Sequence, residues 1–570
     1  MKKFTLFLFS LFLYYALFPN NVYAGDVEIN NKNFPDAEFR TYVKDNFDTN
    51  KDNILDDNEA GNVTVIPVNF TYSITSDDYG KISITQSNSS FAEEISDFTG
   101  IKYFVNLETF SCQDNNMDEE LDLSKNSELK ALFCNNTKIQ ELDLSKNEKL
   151  LYLDCSNNQL QELNLSKNKK LLYLDCSNNK INDLELYEPG TKKVTVNKLS
   201  GDVMVSVDVT VSEDPNPLTY FKCDHNELDT LSLIDLDEHL LWLKCNDNKL
   251  EDKLFANDSE NLIWLECDNN KITEVELDNK KLRYLKCSNN KITELDAGSC
   301  KQLEQIICDN NKIKDFFLPR RSNLLVYLSC SSNDIDVMDS VPNSLEYIDF
   351  SKNKLDDTYF LKRGVSLKNI NCSYNKLGEI DLSNSTLLEV FNCDNNFIPD
   401  ISFANNTLMK TFSGLSQKIY GQKVSDNKNK NYPYTFDLTD AISKKADLSR
   451  VIDISVLSEN NTAIKYEFED SSTLIFAEKP AFIKYKYNPD GQLKNSYLDV
   501  TLFFSEAPQN DNYGTNNEHN DGSNDNNKNN DNNNENNRFD GGDSSGGCNS
   551  GFISGIIALS LFSVLKKKKY

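Results

Sequence analysis

One pattern recurs along most of the chain, and it limits the possible folds more than any other feature. The segment from Leu150 to Leu160 and the segment from Leu171 to Ile181 are nearly identical and start 21 residues apart. Their shared form is L-x-x-L-x-C-x-x-N-x-L-x-x-L-x-L. Self-similarity at such a short period indicates an array of small units, each of which packs only against its neighbours.

A cysteine marks almost every unit, and neighbouring units lie 20 to 22 residues apart except across one insertion. The pattern resembles the leucine-rich repeat over about residues 107–412. The resemblance implies one short strand per unit at L-x-x-L-x-C, with the strands paired in parallel into a concave sheet roughly 60 Å long. The cysteines are Cys112, Cys134, Cys155, Cys176, Cys223, Cys245, Cys267, Cys287, Cys308, Cys330, Cys372 and Cys393, and Phe350 fills the same slot, which makes thirteen units.

An asparagine follows three residues after the cysteine in most units. Backbone groups lose their ladder partners where the chain turns away from a strand, and an amide side chain offers both donors and an acceptor to replace them. We therefore expect a stack of asparagines to close the turns, with a looser turn at Thr137. The positions are Asn158, Asn179, Asn226, Asn248, Asn270, Asn290, Asn311, Asn333, Asn353, Asn375 and Asn396.

The cysteines predict a ladder of buried thiols rather than disulfides or a metal site. Many cysteines in an exported protein usually indicate disulfides, but here twelve share one inward slot, and Phe350 shows that the slot needs apolar filling. A free cysteine packs as a small buried hydrophobe. The chain has no C-x-x-C pair, which argues against zinc, and Cys300 lies off the pattern.

Residues 25–105 are expected to form an N-terminal cap. The segment from Phe34 to Val43 has helical spacing with a proline near its start, and the loop 48–59 that follows resembles an EF-hand loop. Its calcium ligands would be Asp48, Asn50, Asp52, the carbonyl of Ile54, Asp56 and Glu59. Asn53 stands where such loops carry glycine, although asparagine tolerates the left-handed conformation. The alternative is an acidic turn that caps the first repeat without metal.

Two further regions interrupt or follow the repeats, which span 106–415. The insertion at about 187–217 contains two alternating segments around Ser200 and Gly201, which predict a β-hairpin that either contacts a ligand or is inert. Residues 416–507 contain strand-like segments at 451–456, 464–468, 482–487 and 497–503, with a turn at Asn488-Pro489-Asp490-Gly491. We expect a β-sandwich-like module there, which would cover an otherwise open sheet edge.

The two ends of the chain predict export and attachment to the cell envelope. Residues 1–24 read as a signal peptide cleaved after Ala24, the alternative being a membrane anchor that is short for a span. Residues 508–547 form an Asn- and Asp-rich spacer of the disordered type. Residues 548–570 begin at Cys548 and end in a lysine cluster, and they resemble sorting tails of the Synergist-CTERM kind. The alternative is a plain tail anchor in the membrane that is never cleaved.

Charge and motifs narrow the classes of function. A net charge of −29 argues against a nucleic-acid partner. The sequence has no H-E-x-x-H, no G-x-S-x-G and no glycine-rich phosphate loop, so we expect no enzyme. No cofactor other than a calcium ion is expected.

Aromatic residues recur at one position of the predicted strands, just before the second leucine. Because side chains alternate along a strand, this position points away from the core, toward the concave surface. Charged residues such as Lys244 and Glu266 follow two positions later. Aromatic rings beside charges are typical of binding hot spots, although neighbouring rings also stabilise one another without a ligand. The residues are Tyr152, Tyr173, Tyr220, Trp242, Trp264, Tyr284, Tyr327 and Tyr347.

Taken together, the segments predict an α/β-class leucine-rich-repeat solenoid, mostly β and loop, with a small helical cap and a C-terminal β-sandwich-like module. This order of parts resembles internalin-like bacterial surface proteins. The resemblance implies a cell-surface protein that binds a protein or glycan ligand through its concave face, in adhesion to a host or another cell, and contacts the membrane through its tail. The alternative is a structural envelope protein without an external ligand.

Overall fold

The structure is a computed structural model that describes residues 25–506, apart from 68–69, 77–81, 89–94, 118–119, 189–190, 201–202, 213–215, 234–235, 237–238, 320–321, 404, 443–445 and 490–495. The predicted signal peptide, the predicted spacer at 508–547 and the sorting tail therefore lie outside the described residues. For the strands 70–76, 82–88, 191–200 and 203–212 only the backbone is described.

Among its described residues, the N-terminal cap contains two α-helices and two antiparallel strand pairs. Helix α1 (Ala37–Asn46) begins after Asp36, whose carboxylate accepts a hydrogen bond from the Phe39 backbone N–H, and helix α2 (Asp57–Gly61) is short. Strands Val27–Glu28 and Ile54–Leu55 pair antiparallel, as do Phe70–Ser76 and Ile82–Asn88. The first helix was predicted, whereas the 70–88 hairpin was not. A 3-10 helix, Ile101–Tyr103, leads into the first repeat.

One long sheet runs through the repeats, and its neighbouring strands are parallel and in register. The thirteen cysteine or phenylalanine units each contribute one strand of three residues, as the sequence predicted. The strands of the solenoid, in sheet order, are Val65–Pro67, Thr109–Ser111, Ala131–Phe133, Tyr152–Asp154, Tyr173–Asp175, Tyr220–Lys222, Trp242–Lys244, Trp264–Glu266, Tyr284–Lys286, Gln305–Ile307, Tyr327–Ser329, Tyr347–Asp349, Asn369–Asn371, Val390–Asn392 and Thr411–Ile419.

The middle residue of each strand points into the core, and the first and third residues point to the opposite side, which we call the open face. Leu153, Leu243 and Ile348 are such middle residues and are fully buried. The cysteine after each strand returns to the core, so leucine and cysteine alternate through the interior. A continuous core of this kind makes each turn dependent on the turns beside it.

The cysteine ladder is confirmed. The twelve ladder cysteines are free and at most 1% exposed, and Phe350 fills its slot fully buried. Several thiols also donate to a backbone carbonyl of the next turn, for example Cys245 Sγ to Glu266 O at 3.4 Å and Cys372 Sγ to Asn392 O at 3.2 Å. The slot therefore uses a weak hydrogen bond in addition to apolar filling, which the sequence did not predict. Cys300, off the ladder, is buried as well.

The asparagine ladder closes the turns as predicted. The amide nitrogen of Asn270 donates to the carbonyls of Cys245 and Cys267 at 3.0 and 3.2 Å, and its oxygen accepts from the Leu250 N–H at 3.1 Å. Thr137 donates through its hydroxyl to the carbonyl of its own turn at Cys134, 2.8 Å away. The ladder continues one turn past the last predicted asparagine, because Gln417 donates to the Cys393 carbonyl at 2.8 Å.

The residue before each ladder asparagine takes the left-handed conformation. Its φ is 56° at Asn157, 53° at Asp247 and 54° at Lys352. Asparagine and aspartate tolerate this region best among residues with a Cβ, which explains why Asn-Asn and Asp-Asn pairs are so frequent in the repeat. A second asparagine stack lies in the S-x-N segment: Asn147 donates to the carbonyls of Leu123 and Asn126.

Short strands also form on the side of the solenoid opposite the long sheet. Glu162–Asn164 pairs in parallel with Asp183–Glu185. A second group, Glu251–Phe255, Lys271–Glu276, Glu294–Asp296 and Asp315–Phe317, forms a four-stranded parallel sheet. The remaining 3-10 helices among the described residues are Ala256–Asp258, Tyr359–Arg363, Leu438–Asp440 and Leu448–Arg450.

The insertion is a β-hairpin, as predicted. Strands Thr191–Ser200 and Val203–Ser212 pair antiparallel along their whole length, from Thr191 opposite Ser212 to Ser200 opposite Val203.

The C-terminal module continues the long sheet and does not simply cover its edge. Strand Leu498–Phe503 pairs in parallel with Thr411–Ile419, and Phe482–Tyr487 and Val451–Leu457 follow antiparallel. The chain returns to supply the strand beside Thr411–Ile419 itself, so the module covers the sheet edge, as expected, by extending the sheet. A separate four-stranded sheet has the order Ser425–Asp426, Tyr434–Asp437, Thr473–Phe476, Tyr466–Phe468.

A buried tyrosine ties the module to the last turn. Tyr485 is 1% exposed, and its hydroxyl donates to the Pro399 carbonyl at 2.9 Å. Within residues 25–506, outside the gaps given above, no helix is long and apolar enough to span a bilayer.

Candidate functional site

The predicted aromatic residues occupy the first position of their strands, on the open face. Strand register aligns Tyr152, Tyr173 and Tyr220 with one another and then with both tryptophans and Tyr284. Gln305 takes the next position and separates these six rings from the pair Tyr327 and Tyr347. The single stripe expected from the sequence is therefore two stacks of rings.

The rings stack on one another along the axis of the solenoid. Ring centroids are 4.7 Å apart for Tyr173 and Tyr220, with an angle of 3° between the ring planes, and 4.1 Å apart for Trp242 and Trp264. The second stack has 4.3 Å between Tyr327 and Tyr347. Aromatic pairs at such distances add about 0.5–1.5 kcal/mol beyond the area that they bury.

Stacking covers the faces of the rings. Tyr173 and Trp242 are 7% and 6% exposed, whereas Trp264 is half-buried. The row is thus less open than simple alternation along a strand suggests, because each ring lies against the next. A ligand on this face would meet ring edges and hydroxyl groups more than ring faces. The prediction that these eight residues contact a ligand stays a prediction.

The third strand position carries the predicted charges, and they are paired with one another. Lys222 Nζ lies 3.0 Å from Asp175 Oδ2, and Lys286 Nζ lies 3.2 Å from Glu266 Oε1. Glu266 Oε1 also accepts from the Trp264 indole N–H at 2.9 Å, which fixes the orientation of that ring. Burial raises the pKa of Glu266, but the lysines Lys286 and Lys244 outweigh it and leave the pKa below its ordinary value.

Asp154 stands at the start of the charged row without a lysine of its own. Its Oδ1 accepts from the Ser156 N–H at 3.1 Å and from the Ser156 hydroxyl at 2.7 Å. Burial, together with the negative charge of Asp175 on the next strand, raises the pKa of Asp154 to about 6. Burial likewise raises the pKa of Asp268 to about 6. The polar part of this face is therefore sensitive to mildly acid pH.

Sequence reasoning missed a third row on the open face, formed by the residue after each cysteine. The carboxylate of Asp268 accepts from the Ser288 N–H at 2.6 Å, and that of Asp309 accepts from the Ser331 N–H at 2.7 Å. These side chains bind the backbone of the next turn where the strands have ended. The frequent D-C-S and C-D-N triplets were visible in the sequence, but only the register shows which turn each side chain reaches.

The predicted calcium loop adopts the expected backbone conformation at its sixth position. Asn53 has a φ of 62°, in the left-handed region where such loops usually place glycine. Asp48 is 4% exposed, and its two oxygens accept from the N–H groups of Asp52 and Asn53 at 3.1 and 3.0 Å. The loop is thus folded around its first carboxylate.

The last predicted ligand, Glu59, is hydrogen-bonded to the start of the loop itself. Glu59 Oε1 accepts from the N–H and the hydroxyl of Thr49, both at 2.7 Å, and Glu59 forms a capping box with Asp56. No group of three or more His, Cys, Asp or Glu side chains within the described residues lies close enough to hold a metal ion. The oxygen donors suit calcium in type, but Glu59 would have to release Thr49 to reach it. Calcium binding remains a prediction.

Comparison with known proteins supports the architecture. A family model for leucine-rich repeats, in two copies, matches residues 280–320. The functional domain of InlJ from Listeria monocytogenes, which includes a cysteine ladder, is similar in structure with a TM-score of 0.54 and 20% identity, over 85% of this chain and all of that chain.

The fold is a leucine-rich-repeat solenoid. Solenoids of this kind typically serve as binding scaffolds with an extended surface. An internalin from Listeria monocytogenes, inlF, is 19% identical with a TM-score of 0.43, over 69% of this chain and 98% of that one. YopM from Yersinia enterocolitica is 18% identical with a TM-score of 0.47, over 74% of this chain and 75% of that one. No curated protein matches the sequence.

Proposed function

We propose that this solenoid binds a protein or glycan ligand at a cell surface through the open face of its long sheet, on the six strands from Tyr152–Asp154 to Tyr284–Lys286. The observation that carries this proposal is the pair Trp242 and Trp264. They are the two tryptophans of the chain, they stack at 4.1 Å, and they lie among the charges of Lys244 and Glu266. Tryptophan is among the residues most enriched in binding hot spots.

The central test is a pair of matched double variants. First, the mature chain is screened against glycans and surface proteins to find a ligand. Trp242→Ala with Trp264→Ala is then compared with Asn369→Ala with Val390→Ala, which changes the same strand position on later turns. We expect the tryptophan variant to lose about 2 kcal/mol or more of binding free energy and the control to lose little. Equal affinity of a folded tryptophan variant and the wild type would place the ligand elsewhere.

A protein without an external ligand is the competing candidate. The ring stacks and ion pairs favour it in one respect, because they stabilise the face even with nothing bound. The same screen separates the two candidates. If the mature chain binds no glycan or surface protein but associates with its own copies in envelope preparations, the structural role is the better description.

We propose that the protein is exported and held at the envelope by residues 548–570. The support is Cys548, the apolar stretch after it and the final lysines. Cell fractionation of the full chain and of a chain ending at Gly547 tests this. The full chain should remain with the envelope and the shortened chain should enter the medium. Equal release of both would contradict the anchor.

We also propose that the loop 48–59 binds calcium. The support is the alternation of oxygen-bearing side chains at Asp48, Asn50 and Asp52, and the left-handed Asn53 that lets the loop turn. When bound, the ion would supply a fixed positive charge that orders the loop. Titration calorimetry on the mature chain should show binding near millimolar calcium or tighter, and Glu59→Gln should weaken it. No heat with the wild type up to millimolar calcium would contradict the proposal.

A further inference from the structure

The ladder cysteines are spaced as if for disulfides but oriented against them. Residues just before Cys155 and Cys176 are direct partners in the sheet, so the two cysteines lie on neighbouring strands. Their Cα atoms are therefore one strand spacing apart, about 4.8 Å, which is inside the range of disulfides, roughly 4.4–6.8 Å. The same relation recurs between neighbouring ladder positions.

The separation of the Cβ atoms, in contrast, does not suit a disulfide. Side chains of in-register parallel strands point the same way, so the Cβ atoms keep a separation of about 4.8 Å, whereas a relaxed disulfide needs roughly 3.5–4.5 Å. Ladder positions two turns apart are separated by about 9.6 Å on the same spacing, which is too far for any disulfide. The fold thus leaves no pair of ladder thiols that can be joined without moving backbone.

The folded thiols are also closed to reaction. They are at most 1% exposed, and several donate to the carbonyl of the next turn, as Cys267 does to Lys286 O at 3.5 Å. Burial raises the pKa of the Cys155 and Cys267 thiols well above the ordinary value, so that almost no thiolate is present. Because the thiolate is the reacting species, exchange with a disulfide is blocked in the folded chain.

The unfolded chain has none of this protection. Its thiols titrate near the ordinary value of about 8.5 and are open to solvent. With glutathione disulfide as oxidant, one cysteine thiolate attacks a sulfur of the oxidant and releases a glutathione thiolate. A second cysteine thiolate then attacks the mixed disulfide and releases the other glutathione. One protein disulfide forms and two glutathione thiols are produced, so atoms and electrons balance.

We infer that disulfide formation and closure of the solenoid exclude each other, which makes this fold redox-gated. The chain reaches its native state only where thiol oxidants are absent or act more slowly than folding. Once the turns have closed, the same oxidants no longer reach the ladder. For an exported protein this sets a condition on the compartment in which it folds. It must lack an efficient thiol-oxidising catalyst, or a reduced chain must be delivered quickly into its fold.

The test is an order-of-addition experiment on the full chain with Cys548→Ser, which removes the one cysteine outside the described residues. The chain is unfolded in guanidinium with a reductant, desalted, and refolded with reduced glutathione alone or with glutathione disulfide. The same amount of glutathione disulfide is added to a third sample after folding. Near-ultraviolet circular dichroism measures the native yield, and mass spectrometry after alkylation counts free thiols.

We expect full recovery with reduced glutathione and a native yield lower by roughly tenfold when the disulfide is present from the start. Reductant added later should restore that yield, which separates disulfide trapping from aggregation. The sample oxidised after folding should keep its native signal and all ladder thiols. Equal yields in both refolding buffers would overturn the inference. So would a native spectrum in a chain that carries ladder disulfides, or rapid alkylation of the folded chain.

Discussion

The early and late strands of the long sheet share one interior but have different open faces. Strands Trp242–Lys244 and Trp264–Glu266 present stacked rings and paired charges. Strands Asn369–Asn371 and Val390–Asn392 present amides and a valine at the same two positions. Beneath both, the same leucine, cysteine and asparagine ladders continue without a change of register.

This difference separates what the fold requires from what it permits. The inward positions and the turn asparagines repeat because a change in any one turn is felt by the turns beside it. The open positions lie outside the core, so they vary more freely than the inward positions unless a second demand acts on them. Six consecutive rings in one row are therefore the part of this surface that folding alone does not explain.

The largest loss of stability should come from substitutions in the asparagine ladder, which both regions share. Asn270→Ala and Asn375→Ala each remove donors to two cysteine- or phenylalanine-slot carbonyls and an acceptor for one N–H group. Leaving such buried groups unpaired should lower the free energy of unfolding by about 3 kcal/mol in either region. Urea denaturation measures this. A loss confined to one variant would show that the interior is not uniform after all.

The second-largest loss of stability should come from substitutions on the open face, and it should differ between the two regions. Trp264→Ala removes a ring that stacks on Trp242 at 4.1 Å and on Tyr284 at 4.2 Å. We expect a loss of about 2 kcal/mol of stability, less than for a fully buried ring because Trp264 is half-buried. Asn369→Ala is the control and should change stability by under about 0.5 kcal/mol, as a surface substitution does. Equal thermal midpoints for the two variants would mean that the ring stack contributes nothing to the fold.

A change of pH should alter the stability of the early strands of the long sheet, through Asp154. The pKa of Asp154 is about 6 in the folded chain and about 3.9 when unfolded. The folded state therefore keeps the proton of this carboxyl up to a higher pH than the unfolded state does. Its contribution to stability is complete below pH 4 and is lost as the pH rises from about 4 to about 6. Asp154→Asn should therefore raise stability by about 1 kcal/mol at pH 7, discounted for partial exposure. The gain should vanish at pH 4.

Asp349→Asn is the matched control for this prediction. Asp349 binds Ser351 in the same way, but its second oxygen also accepts from the Asn371 amide at 2.9 Å. Thermal midpoints of both variants from pH 4 to pH 8 decide the matter. A similar pH-dependent gain in Asp349→Asn would show that the effect is not specific to the surroundings of Asp154.

A gain of stability no larger than that of Asp154→Asn should come from joining the two ring stacks. Gln305→Tyr would insert a ring between Tyr284 and Tyr327 and form two new stacking contacts, worth about 1 kcal/mol in total. Asn369→Tyr, which would extend the second stack at its end, should gain about half as much. Thermal unfolding of the two variants gives the comparison. If Asn369→Tyr gains as much as Gln305→Tyr, stacking on both sides does not matter.

The solenoid could be predicted from the sequence because the repeat period is short and the core positions of the repeat are chemically uniform. A strand of three residues leaves little room for error in register once leucine and cysteine mark the inward side. The cap helix could be predicted as well, since Pro35 and Asp36 stand where a helix begins. The 70–88 hairpin was missed because its Ser- and Thr-rich strands carry a weak pattern between two recognisable elements.

Only part of the candidate site could be predicted from the sequence. Alternation along the strand placed the rings on the open face correctly, but it could not show that Tyr173 and Tyr220 would lie parallel at 4.7 Å and cover each other. Nor could it show that the Trp264 indole N–H donates to Glu266. Both depend on side-chain torsions and on the partner strand, and neither leaves a mark in a single repeat. The metal loop was readable by ligand type, whereas the attachment of Glu59 to Thr49 was not.

The route by which the chain leaves the sheet bears on how the protein carries a pulling load. Strand Leu498–Phe503 lies between Thr411–Ile419 and Phe482–Tyr487, with hydrogen bonds on both sides. Tension applied through the C-terminus therefore enters the fold along the axis of an interior strand and shears two rows of hydrogen bonds at once. A terminal strand at an edge would instead be peeled away one bond at a time. A solenoid tethered by its C-terminus would thus be held through a strand that is paired on both sides.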